Sequence, residues 1–214
     1  MNRTISASPR YHPVVVFPRS AQVEVTDLTT AEGAARPAPV WGVGKYDEKR
    51  AGLYVHELFK GEAGERRDVH VGVDLFAPAG VAVHAFADGV VVQAGMNGQP
   101  GDYGPVLVVR HALAGGGGGG GTPVYALYGH LSVETLLRSR VGREVRSGDV
   151  LGWVGSSAVN GGWAPHVHFQ LAWDAPPTHD MPGVVRWSER GDALRKYPDP
   201  RPALGLGEDF RQKL

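Results

Sequence analysis

Two stretches constrain this chain more than any others: His70-Val71-Gly72-Val73-Asp74 and, about ninety residues later, His166-Val167-His168. The second lies in a run with strand character, and a period of two puts both imidazoles on one face, within reach of a single ion. The first is harder to place. On an unbroken strand, residues four apart are separated by about 13 Å and cannot share a metal. A helix would bring them together, but Val71, Gly72 and Val73 disfavour one. A chain bent at Gly72 meets both conditions, because glycine tolerates backbone that other residues avoid. Two histidines and one carboxylate then complete a three-ligand zinc site with a fourth position left for water, the pattern of catalytic rather than structural zinc.

Composition removes several rivals. The chain has 214 residues, enough to bury a real core, and its 22 Lys and Arg balance its 22 Asp and Glu. No bulk field therefore recruits nucleic acid or an anionic membrane, and partner choice must come from a local site. The absence of cysteine excludes disulfides, thiolate zinc ligands and a cysteine nucleophile. Near the N-terminus the apolar run Val14 to Phe17 is hemmed in by Pro13 and Pro18, too short for the core of a secretory signal. No stretch reaches the roughly 18 apolar residues of a membrane span. The expectation is a soluble, cytoplasmic chain, with extracytoplasmic action open if it is exported by another route; oligomeric state is not legible.

Three segments follow from the patterning. Residues 1–40 read as an arm or small β extension, with a plausible strand pair at Val14 to Phe17 and Gln22 to Val25. Residues 41–175 carry the chemistry, and residues 176–214 form a Pro-rich tail. Within the middle segment, strands are expected at Leu53 to Phe59, Val69 to Phe76, Val81 to Ala94, Pro105 to Leu113, Val124 to His130, Val150 to Val154 and Val167 to Trp173. Ala87-Asp88-Gly89 carries a hairpin signal. Only Ser132 to Arg138 looks helical, with Ser132 as N-cap. The fold class is all-β: a compact antiparallel sandwich or open barrel with one short helix. The glycine run Gly115 to Gly121 reads as a hairpin loop rather than a phosphate cradle, since neither a Lys-Ser/Thr ending nor a following helix accompanies it. His130 ends another strand just before the helix, while His12, His56, His84, His111 and His179 show no paired spacing.

In order along the chain, Val69-His70-Val71-Gly72-Val73-Asp74-Leu75-Phe76-Ala77-Pro78-Ala79-Gly80, Ala87-Asp88-Gly89-Val90-Val91, Tyr128-Gly129-His130-Leu131, Gly148-Asp149-Val150-Leu151-Gly152 and His166-Val167-His168-Phe169 resemble the lysostaphin-type zinc metallopeptidases, endopeptidases of peptidoglycan. The resemblance covers residues 67–173. It implies a compact β fold of the duplicated-hybrid-motif type with a groove across one sheet. It further implies His70, Asp74 and His168 as zinc ligands, and His166 and His130 as unligated histidines beside the metal-bound water. His166 then takes the general-base role and His130 the oxyanion or proton-donor role. Tyr103 and Asn97 sit on loops that could face such a groove, and Arg66 or Arg67 is either a contact for an anionic substrate group or solvated loop charge.

Two stretches, Trp41-Gly42-Val43-Gly44-Lys45-Tyr46-Asp47-Glu48 and Asn160-Gly161-Gly162-Trp163-Ala164-Pro165-His166, are similar to a branch in which this domain is fused to kinase-like and aminotransferase modules. The tail from Tyr197 to Gly205 resembles the linker into such a module. The expected activity is therefore zinc-dependent endopeptidase cleavage of peptide bonds in peptidoglycan cross-links or stem peptides. Alternatives are a cytoplasmic small-peptide hydrolase and a non-catalytic peptide- or glycan-binding or regulatory module. Because relatives of this type cut glycyl-glycine bonds, Gly115 to Gly121 is also a conceivable self-cleavage site.

Overall fold

In the computed structural model, which describes residues 4–8, 11–50, 52–61, 64–113, 122–207 and 210, the strand pattern divides into short pieces shared among three sheets. The first part supplies β1 (Glu24–Val25), β2 (Gly42–Gly44) and β3 (Glu48–Lys49). The run expected as one strand from Val69 to Phe76 is two, β4 (Arg67–His70) and β5 (Val73–Phe76). That from Val81 to Ala94 is also two, β6 (Ala82–His84) and β7 (Gly89–Asn97). Then come β8 (Gly104–Leu113), β9 (Thr122–Gly129), β10 (Glu144–Val145), β11 (Val150–Trp153), β12 (His166–Ala172) and β13 (Val184–Arg186).

The main sheet has eight strands in the order β1-β2-β5-β12-β9-β8-β7-β10, antiparallel throughout except for the parallel β1–β2 pair. Its two edges stay apart, so it does not close into a barrel. A second sheet joins β13, β4 and β3, and a third joins β11 and β6. The chain therefore passes from one sheet to another between His70 and Val73. β2 and β3 make the opposite passage alongside, with Gly44 facing Asp74 and Glu48 facing His70. The two segments bend together: Asp47 N–H donates to the His70 carbonyl at 2.8 Å, while Val71 N–H is satisfied from outside the pair, by the Gly183 carbonyl at 3.0 Å.

Gly72 is required at this bend, though for a reason other than the expected one. Its backbone is outside the left-handed region. A Cβ there would stand 2.5 Å from His168 Cε1, so glycine lets the bend close on the facing imidazole. β12 supplies that imidazole. All seven of its residues are buried, and they alternate: Val167, Phe169 and Leu171 enter the core while His166, His168 and Gln170 share the other face. Full burial of each apolar member is worth about 1.5–3 kcal/mol, enough to hold the polar face in one register.

Several local expectations are corrected. Leu53 to Phe59 is not a strand; it ends in a 3-10 turn at Glu57–Phe59, and Tyr54 and Phe59 pack with Trp163 as a small aromatic cluster. Val14 to Phe17 joins no ladder, although Val14 and Val15 enter the core. Asp88-Gly89 does not turn a hairpin, because β6 pairs with β11 while β7 pairs with β8 and β10. Beside the expected helix, now α2 (Val133–Arg138), stand α1 (Ala31–Ala35), α3 (Arg190–Lys196) and α4 (Arg201–Leu204). These are too short to display a 3.6-residue period. Ser132 occupies the N-cap of α2, but its hydroxyl faces the Thr135 hydroxyl at 3.2 Å instead of a backbone N–H. The glycine run lies outside the described residues, while its flanks pair as β8 and β9 with Leu113 opposite Thr122.

Residues near both ends join the same packing. Ile5, Met181, Ala193, Tyr197 and Ala203 belong to the main core, and Tyr46 donates its hydroxyl to the Tyr197 carbonyl at 2.6 Å. Among the described residues, no helix is long and apolar enough to cross a membrane.

Candidate metal centre

The bend and β12 bring His70, Asp74 and His168 together, with one donor atom of each inside a span of 4.8 Å. Asp74 Oδ1 is the common point. His70 Nε2 lies 3.2 Å from it, His168 Nδ1 3.1 Å and His166 Nε2 3.7 Å, while His70 Nε2 and His168 Nδ1 are 3.0 Å apart. Two imidazole nitrogens and a carboxylate oxygen are borderline-hard donors suited to zinc. With ligand bonds of about 2.0–2.2 Å, a tetrahedral site has edges of about 3.4 Å, so the three donor separations are already close to those of a zinc site.

Each imidazole is held by a fixed acceptor on its other nitrogen. His70 Nδ1 faces the Lys45 carbonyl at 2.8 Å and Arg50 Nη2 at 2.9 Å; a proton on Nδ1 belongs to the carbonyl, since a guanidinium only donates. His168 donates Nε2–H to Gln170 Oε1 at 3.0 Å, and Gln170 in turn donates to the Pro182 carbonyl at 3.3 Å. His166 donates Nδ1–H to the Ala164 carbonyl at 2.7 Å, and His130 donates Nδ1–H to the Asn160 carbonyl at 2.9 Å. Such partners choose the tautomer and leave the opposite nitrogen as an acceptor.

His130 reaches this position through backbone that few residues adopt. It follows β9 with φ of 60°, a left-handed conformation uncommon outside glycine and costly to hold. Its N–H donates to the Tyr103 carbonyl at 3.1 Å and its carbonyl accepts from Gly155 at 2.8 Å, which lock the turn. The His130 and His166 rings then lie 4.2 Å apart.

Electrostatics follows from burial. Burial pushes His70 down to about 4, with Arg50 adding to the effect, and it lowers His130 and His166 as well. Burial opposes charge on Asp74 too, yet His70 and Arg50 outweigh it and keep the carboxyl well below the usual carboxylate range. Burial thus disfavours charge on the His70, His130 and His166 rings around one anion, an arrangement that suits a cation.

These residues line a groove of about 480 Å³. Residues 24–39 form part of its lining, as do Tyr54, Phe59 and Trp163 from the aromatic cluster. Tyr103 also reaches it: its ring lies 5.1 Å from that of His168, and its hydroxyl donates to the Met181 carbonyl at 3.1 Å. Arg66 and Arg67 tie down the segment from Tyr54 to Leu58 by donating to the carbonyls of those two residues. Asn97 donates to Asp180 instead of facing the groove. The remaining five histidines stand apart from the donor cluster.

The sequence reading missed Gln170, Glu48 and Arg50. Gln170 had a signal, since it is two residues beyond His168 and so on the same face. Asp47-Glu48-Lys49-Arg50 resembles a solvated charge run, but Tyr46, Glu48 and Arg50 are buried at a period of two.

The profile of Peptidase family M23 matches residues 68–179. A DD-carboxypeptidase/endopeptidase Mpg of Neisseria meningitidis serogroup B is 35% identical over 113 residues, 53% of this chain and 22% of that protein. The glycyl-glycine endopeptidase ALE-1 of Staphylococcus capitis is 34% identical over 101 residues, 47% of this chain and 24% of that protein. The chain thus spans about a quarter or less of the length of these relatives. The catalytic domain of the antimicrobial peptidase lysostaphin from Staphylococcus simulans aligns over 77% of this chain and 92% of its own at 23% identity, with a TM-score of 0.46.

Proposed function

The chain belongs to Peptidase family M23, and on that premise we propose that it is a zinc-dependent endopeptidase acting on peptide cross-links or stem peptides of peptidoglycan. The observation that carries this reading is the convergence of four anchored imidazoles and Asp74 on one groove. His70 Nε2, Asp74 Oδ1 and His168 Nδ1 would hold the metal. Bound zinc supplies Lewis acidity to water and to the scissile carbonyl.

The chain's own residues do the rest. His166 enters the reaction neutral, with its proton committed to the Ala164 carbonyl, so Nε2 takes a proton from the attacking water and later passes it to the leaving amine. His130, anchored on Asn160, likewise offers an acceptor that orients the water. On taking the second proton of that water it becomes a donor for the developing oxyanion or for the amine, which departs as an ammonium opposite the new carboxylate. The groove walls hold the peptide extended across these groups, and the peptidase domain is the stretch 41–175. The substrate class follows from the family resemblance and from relatives named for glycyl-glycine and DD-peptide cleavage.

The test is incubation of the zinc-loaded chain with purified peptidoglycan and with short glycine- and alanine-containing peptides, the products being identified by mass spectrometry. One new amine and one new carboxyl per cut are expected. Stoichiometric zinc with no turnover on any of these substrates would instead mark a binding module.

A further inference from the structure

Arg50 and Glu48 lie in a stretch to which the sequence pattern assigned no chemistry. They are 5% and 0% exposed, a costly arrangement for charges that are not paired. Both are paired. Arg50 Nε donates to Glu48 Oε2 at 3.0 Å, and Arg50 Nη1 donates to Asp74 Oδ2 at 2.7 Å and to the Tyr54 hydroxyl at 3.0 Å. Glu48 Oε1 accepts from Leu28 N–H at 3.3 Å. Both oxygens of Glu48 therefore accept from N–H groups, as an ionised carboxylate does, and its charge cancels that of Arg50 before Asp74 is counted. Gly44 keeps the space open: a Cβ there would lie 2.9 Å from Arg50 Nη2 and 3.1 Å from Asp74 Oδ2.

We propose that Arg50 is a positioning residue for Asp74, with Glu48 as its counterion: the guanidinium occupies Oδ2 and leaves Oδ1 as the single oxygen offered to the metal. The inference rests on the metal-centre reading above. Asp74 Oδ1, not Oδ2, faces His70, His168 and His166, so the division between the two oxygens is already made in the structure. Freed from Arg50, the carboxylate could turn and offer both oxygens, changing the ligand number. Without Glu48, the Arg50 charge, 2.7 Å from Asp74 Oδ2, would lack its counterion and repel a cation. Lysine cannot substitute, because an ammonium is a point charge without the fork that reaches Asp74, Glu48 and Tyr54 together.

The experiment uses the full chain, with zinc affinity measured by competition with a chromophoric chelator and ligand geometry by the visible absorption of the cobalt(II)-substituted protein. Arg50→Lys is expected to weaken zinc binding about 10–100-fold and to lower the cobalt absorption as the ligand number rises. Glu48→Gln combined with Arg50→Met removes both charges together, so that no Glu48 carboxylate is left without its counterion and Asp74 loses only the contact on Oδ2; a thermal melt verifies folding, and the same two changes are expected. Wild-type affinity and an unaltered cobalt spectrum in either folded variant overturn the proposal. If the unsubstituted chain takes up neither metal, the metal-centre reading falls and this inference with it; if it does and the variants match it, only this inference falls.

Discussion

His111 on β8 and His70 at the end of β4 are both almost fully buried, and burial pushes both down to about 4. Their surroundings differ in the partners of the ring nitrogens. His111 uses both nitrogens on neutral partners, Nδ1 on the Ala87 carbonyl at 2.9 Å and Nε2 on the Tyr128 hydroxyl at 3.1 Å, and Phe86 packs on its ring at 4.4 Å. His70 uses one nitrogen on a carbonyl and turns the other toward Asp74 and His168. Loss of basicity thus marks burial in both places. What separates a candidate site from a satisfied core histidine is an uncommitted nitrogen beside a carboxylate.

The sharpest way to break that contrast is to remove the carboxylate. Asp74→Ala should take zinc content from about one per chain to near zero, as read by elemental analysis after dialysis, and should abolish hydrolysis. His111→Gln should leave the metal in place; equal loss in both variants would erase the distinction. Next in size is His166→Ala. Turnover should fall by about 10²–10⁴ while metal content stays at about one per chain. Loss of the metal as well would make His166 a ligand and redraw the centre.

The smallest effect concerns stability. Unfolded, His111 takes up a proton near pH 6.5; folded, it does so only near pH 4. Between those values the unfolded chain binds more protons, so stability present above pH 6.5 is lost as pH falls toward 4, by about 3 kcal/mol. Denaturant titrations at several pH values should show this slope in the native chain and a shallower one in His111→Gln. An unchanged slope would mean that His111 is not the group whose burial the acid side reports.

Much of this was legible beforehand for local reasons. A period of two in His166-Val167-His168 places side chains on one face wherever the strand ends up, and Val167, Phe169 and Leu171 decide which face is buried. The hairpin of β8 and β9 was visible because both runs are strong and adjacent. Leu53 to Phe59 misled because aromatic and branched residues suit a strand and an irregular aromatic cluster equally well. Asp88-Gly89 misled because a turn signal records a reversal of the chain, not which sheet the next strand enters.

Sequence alone determined the donor types, the face that carries His166 and His168, and the need for a break between His70 and Asp74, since these depend on spacing along a backbone of known rise. Tertiary structure alone decided which nitrogen of His70 and of His130 is free, because their acceptors, the Lys45 and Asn160 carbonyls, are brought to them by folding and not by spacing along the chain. It also turned the charge run at residues 47–50 into the support of Asp74. A charged side chain in a strand pattern is solvated or buried according to what packs over it, and here β2, β3 and the bend at Gly72 enclose Glu48 and Arg50 beside the site.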